Sequence, residues 1–113
     1  MATGAQTQFR ENPLIVTISR NAEGNPQVAP DPFILHKLDD QMVKWVLAAD
    51  LLQNLAFTIE FKGSSPFHES QFSKDHPCSG LARRNLVTDP QRVYEYSVWL
   101  DGRFVDPGGV VDK

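Results

Sequence analysis

Sulfur is scarce in this chain: its 113 residues hold one cysteine, Cys78, and two methionines, Met1 and Met42. A lone cysteine excludes an internal disulfide, so a packed core rather than a covalent staple has to hold the domain together. Cations are not in excess either. Eleven Lys and Arg face fourteen Asp and Glu, and both halves share the resulting charge of −3, with five cations against seven carboxylates over residues 1–62 and six against seven over 63–113. A nucleic-acid ligand asks for a basic stripe, because each phosphate contact needs a cation, and no such stripe is present. Long apolar runs are missing as well. The longest candidate, Trp45 to Leu55, is broken by Asp50 and Gln53 and falls short of the roughly 20 residues that cross a bilayer. The first ten residues lack the basic start and apolar stretch of a secretory signal. These absences lead us to expect a soluble, cytoplasmic protein with neither nucleic acid nor membrane among its partners.

What is present reads as one domain. A hydrophobic share of 41% with Trp, Phe, Tyr, Ile and Val all represented suits a single compact core. Residues 1–12 are polar and aperiodic and read as a flexible leader, after which the domain runs from Pro13 to Lys113. Leu14 to Arg20 alternates, with Leu14, Val16 and Ile18 on one face and Thr17 and Ser19 on the other, the period of a half-buried strand. Asn21 to Pro26 is turn chemistry, and Pro26, Pro30 and Pro32 confine the following stretch to extended connection or edge strand. Phe33 to His36 is a short apolar run, and Val43, Trp45 and Leu47 mark another strand with Trp45 as a core anchor.

Ala48 to Leu55 is the one segment of helix-favouring composition, and at about two turns it reads as a short crossover helix or a turn. Phe57 to Lys62 alternates strictly, with Phe57, Ile59 and Phe61 inward. Gly63 to Asn85 has no sustained period and reads as a long irregular loop, the kind of segment that often carries function. Leu86 to Thr88 is read as a short strand. Arg92 to Leu100 places Tyr94, Tyr96, Val98 and Leu100 on one side, Asp101-Gly102 is a positive-φ hairpin turn, and Arg103 to Val105 pairs back before Asp106 to Val111 closes the chain. Short strands separated by Gly and Pro turns, with at most one short helix, predict an all-β, antiparallel Greek-key β-sandwich.

Three stretches resemble the cupredoxin family. Asp31 to Trp45 is similar to its opening, a Pro-led strand that turns into a strand ending in Trp, with Asp40-Gln41 standing where the family has Gly-Asp. Pro66-Phe67-His68 stands where the family places its first copper-ligating histidine, and Val93-Tyr-Glu-Tyr-Ser-Val98 resembles its penultimate Tyr-x-Tyr-x-Cys strand. The resemblance spans most of residues 14–111 and implies a cupredoxin-like sandwich, an architecture shared with immunoglobulin-like domains. It does not extend to the metal. Blue copper needs a thiolate, two imidazoles and usually an axial methionine, whereas Val98 occupies the cysteine position and neither a second histidine nor a methionine follows it. No copper site and no cofactor are expected.

The 63–85 loop gathers His68, Glu69, Asp75, His76 and Cys78, residue types that bind zinc. One reading is a metal site built from His68, His76 and Cys78. The other is a polar surface loop with a small buried thiol. A cysteine hydrolase would place Cys78 beside a histidine and an orienting carboxylate, but His76-Pro77-Cys78 lacks the glycines of a nucleophile elbow. Asp39-Asp40 reads as a turn rather than a glycosidase pair.

Arg83-Arg84, with Lys74 and Arg92 nearby in sequence, offer guanidinium groups to an anionic partner. Phe67 and Phe72 either fold back to cap the sandwich or present an apolar contact surface. Trp99 falls on the face opposite Tyr96 and Val98, so an exposed Trp99 points to an interface. The first expectation is thus a non-enzymatic, metal-free interaction module that meets a protein partner or its own copy through Phe67, His68, Phe72, Arg83, Arg84 or Trp99. A metal-binding protein using His68, His76 and Cys78 comes second, and a hydrolase with Cys78 as nucleophile third.

Overall fold

Side-chain alternation in short β-branched and aromatic segments dictates the architecture. The computed structural model describes residues 13–51 and 54–112, so the expected leader over 1–12 lies outside the described residues, as does part of the 48–55 segment. Among the described residues nine strands form: β1 (Leu14–Arg20), β2 (Pro26–Ala29), β3 (Phe33–His36), β4 (Val43–Leu47), β5 (Phe57–Phe61), β6 (Gln71–Ser73), β7 (Val93–Leu100), β8 (Arg103–Val105) and β9 (Gly108–Asp112). The helical part of the described residues is a single 3-10 turn, Lys37–Asp39, ended by Asp40 at φ 51°. Ala48 and Leu51 close a turn through the Leu51 N–H on the Ala48 carbonyl, 3.0 Å. No described helix is long and apolar enough to cross a membrane.

The strands make two sheets, β2-β1-β4 and β3-β9-β7-β5-β6 with β8 paired to the far part of β7. Both are mixed rather than purely antiparallel, because β1 runs parallel to β4 and β3 parallel to β9. Parallel neighbours need a long connection between them, and the chain from β1 to β4 supplies one by building β2 and β3 on the way. The inward faces of the two sheets meet in one core. Val16 and Ile18 of β1, Val43 and Trp45 of β4, Phe33 and Leu35 of β3, Phe57, Ile59 and Phe61 of β5, and Tyr94, Tyr96, Val98 and Leu100 of β7 are all buried in it.

Three segments differ from the sequence expectation. The 63–85 stretch carries β6 and is knitted down by single bridges, Phe67 to Ala82, Ser73 to His76 and Cys78 to Lys44. It is therefore not a free excursion. Gly108–Asp112, read from the sequence only as the close of the chain, forms β9, the strand that joins β3 to β7. Leu86 to Thr88 forms no strand, since the Leu86 N–H turns back to the Arg83 carbonyl at 3.0 Å while its side chain is buried.

Candidate functional site

Phe67 and Phe72 belong to the core. Their side chains are 1% and 3% exposed and join Phe33, Trp45, Phe61 and Tyr96 in a cluster of aromatic rings. Trp45 stacks on Phe72 at 5.3 Å between centroids, and Phe61 meets Tyr96 at 5.0 Å. Aromatic pairs at such separations add to their area burial. Rings held this way are not available to a partner, so neither phenylalanine serves as a contact residue. The Trp45 indole N–H donates to the Tyr96 hydroxyl at 3.4 Å, and burial pushes the Tyr96 phenol well above its ordinary range.

The potential metal ligands and nucleophile are dispersed on the surface. His68, Glu69, Asp75, His76 and Cys78 are exposed, which corrects the expectation of a buried thiol. His76 to Ser79 lies extended along β4, where the Trp45 N–H donates to the Pro77 carbonyl at 3.0 Å and the Ser79 N–H to the Val43 carbonyl at 2.8 Å. Ser79 Oγ accepts from the Val43 N–H at 2.8 Å. Among the described residues no group of three or more His, Cys, Asp and Glu is placed to hold a metal ion. The Val98 side chain is fully buried and His68 faces solvent.

The arginine doublet is split. Arg83 is half-buried, its Nε donating to the Ser65 carbonyl at 3.0 Å, and it lines a groove of about 410 Å³ with Asn85, Leu86, Val87, Gln91 and Arg92. Arg84 is exposed and lines a separate recess with Asp40, Met42 and Leu81. Lys74, close in sequence, lines neither.

Trp99 sits on the outer face of the larger sheet, 41% exposed, and its indole lies 4.7 Å from the ring of Phe104, itself 52% exposed, at an interplanar angle of 31°. The two are opposed by register. Asp101 and Gly102, at φ 55° and 81°, make a two-residue turn that pairs Leu100 with Arg103 and hence Trp99 with Phe104. Arg103 then anchors the hairpin by donating to the Glu23 carbonyl at 2.9 Å, and Arg20 meets Asp101 at 3.4 Å. Phe104 was not among the expected contact residues, yet the Asp-Gly turn and the two-residue strand period already place it beside Trp99.

A second apolar strip crosses the same outer face, where Val110 of β9 is cross-strand neighbour to both Ile34 and Val93, which are 53% and 57% exposed. Between the two strips the face is polar. Asp106 accepts from Lys62 and from Ser97 Oγ, both at 2.8 Å, and the Lys62 ammonium, followed by the Ser97 hydroxyl, holds its carboxyl below the ordinary carboxylate range. Compared with family models, with curated proteins and with solved structures, the chain matches none.

Proposed function

We propose that this protein is a non-enzymatic, metal-free interaction module with a cupredoxin-like Greek-key sandwich. Its contact surface is the Trp99 and Phe104 ring pair, and its first expected partner is a second copy of itself. The observation that carries the reading is the pair itself: two large aromatic side chains, in tilted contact at 4.7 Å and both well exposed, on a sheet face whose register is set by a tight turn. Aromatic anchors surrounded by polar surface are what binding hot spots are made of. The burial of Phe67 and Phe72 leaves the Trp99 face as the better of the two surfaces read from the sequence. The cupredoxin-like reading draws support from the buried Trp45 in β4 and from Tyr94 and Tyr96, both turned inward on β7. A cytoplasmic setting suits the exposed free thiol of Cys78.

Sedimentation velocity tests the self-association directly. Wild type is expected to run heavier than a monomer at tens of micromolar, and Trp99→Ser to run as a monomer with unchanged secondary structure. A monomer in both removes the self-association. Elemental analysis of native protein tests the metal-free half of the reading. Stoichiometric zinc or copper that is lost in His68→Ala or His76→Ala would transfer the function to a metal site.

A further inference from the structure

We propose that the groove between the Arg83–Leu86 turn and the Val87 to Tyr94 stretch docks an acidic segment of a partner protein, at a site independent of the Trp99 face. Two cations, Arg83 and Arg92, line the groove, each held by a neutral group, and a third, Lys37, braces its wall. Arg83 Nε donates to the Ser65 carbonyl at 3.0 Å, and the Arg92 guanidinium lies 4.5 Å above the centre of the Tyr94 ring. Lys37 Nζ donates to the carbonyls of Arg84 at 2.6 Å and Leu86 at 3.0 Å, on the turn that forms one wall of the groove. Among the described residues, ion pairs join Arg20 to Asp101 and Lys62 to Asp106, and none engages Lys37, Arg83 or Arg92. Asp89 is exposed in the same stretch but does not line the groove.

A carbonyl or a ring positions a cation without cancelling its charge, so the two guanidiniums that line the groove keep theirs. The two guanidiniums are also pre-oriented, which lowers the ordering cost of meeting a planar carboxylate. The remaining lining selects a peptide over a small anion. Asn85 and Gln91 offer amides to a backbone, and Val87, 69% exposed, stands with Pro90 as an apolar wall that a free phosphate would leave in water. A segment that alternates carboxylates with aliphatic side chains meets both features.

The probe is a fluorescein-labelled capped peptide of alternating glutamate and leucine, titrated with the full chain and followed by anisotropy. Saturable binding that weakens with added salt is expected. Arg92→Gln is expected to lower the affinity about tenfold, in line with loss of one charge-assisted hydrogen bond. Arg83→Lys, which keeps the charge and only loses the fork, is expected to lower it several-fold. Lys74→Gln carries the same charge change as Arg92→Gln outside the groove and is expected to bind like wild type, and thermal unfolding verifies that each variant is folded. The proposal is overturned if folded wild type shows no saturation, if Lys74→Gln weakens binding as much as Arg92→Gln, or if the glutamine-for-glutamate peptide binds equally well. Inorganic phosphate that displaces the peptide at equal concentration would assign the groove to a small oxyanion and overturn the peptide reading.

Discussion

Gly109 is glycine because Phe33 occupies the space a side chain would need. The two residues are cross-strand partners, and a Cβ built on Gly109 stands 2.2 Å from Phe33 Cζ and within 2.7 Å of two further ring atoms. Phe33 is fully buried against Trp45, Phe67 and Tyr96 and has nowhere to retreat. The neighbouring Gly108 differs, since its added Cβ meets Val93 Cγ1 at 2.7 Å, the end of an exposed side chain that is free to rotate. Gly109→Ala is therefore expected to destabilise by about 3 kcal/mol, as overpacking of a filled core does, and Gly108→Ala by about 0.5 kcal/mol. Urea unfolding of the two variants checks the order, and equal losses would mean that the Phe33 ring yields. The role of Gly109 is invisible in the sequence because Gly-Gly after Asp-Pro has the composition of a turn, and the ring that covers it lies 76 residues earlier in the chain.

Among elements, the strictly alternating ones were legible. In β5 every second side chain is buried, as Phe57 to Phe61 predicts, and the Asp101-Gly102 hairpin has the positive φ values its residues imply. β6 was not legible, because three residues are too few to display a period and its pairing with β5 depends on Phe72 reaching the aromatic cluster. The extended Pro77 to Ser79 segment was hidden for a related reason: it has no apolar pattern and is held by its backbone. It covers the open edge of β4, where unpaired N–H and C=O groups would otherwise face solvent. Ser79 makes this cover specific, its Oγ accepting from the Val43 N–H while donating to the Gly80 carbonyl at 2.7 Å. Ser79→Ala leaves a buried amide without an acceptor and is expected to cost about 1–3 kcal/mol. Hydrogen exchange at the Trp45 amide, bonded to the Pro77 carbonyl, is expected to accelerate in the variant. Unchanged exchange there would show that the segment holds without the hydroxyl.

At the scale of the whole molecule, Asp106, Lys62 and Tyr96 couple stability to pH. Asp106 titrates below the ordinary carboxylate range because Lys62 and Ser97 bond its charged form, so its contribution to stability is present above about pH 4 and is lost as pH falls. Lys62, raised chiefly by the same hydrogen bond, contributes below its ordinary pKa and ceases to do so at higher pH. Tyr96 is raised by burial, so the folded state keeps a proton that the unfolded chain releases above about pH 10, and stability declines from there upward. Tyr96→Phe is expected to be less stable at pH 7 by about 1–2 kcal/mol, because the Trp45 indole N–H loses its acceptor, yet to decline less steeply in alkali. Denaturant midpoints across pH 7–11 check both halves, and parallel alkaline slopes would exclude Tyr96 as the titrating group.

Local alternation, turn chemistry and composition were enough to make this chain all-β and to assign Trp45, Tyr94, Tyr96 and Val98 to the core, because strand period, and with it the face each side chain takes, is a property of neighbouring residues. Which strands run parallel, which phenylalanines are interior, and which arginines share a groove were decided by tertiary structure. Phe67, in a stretch without sustained period, and Trp99, in an alternating strand, end with opposite exposures of 1% and 41%. The difference lies in what the rest of the chain brings against each of them, and the free energy of burying a ring depends on partners that its own neighbours in sequence do not name.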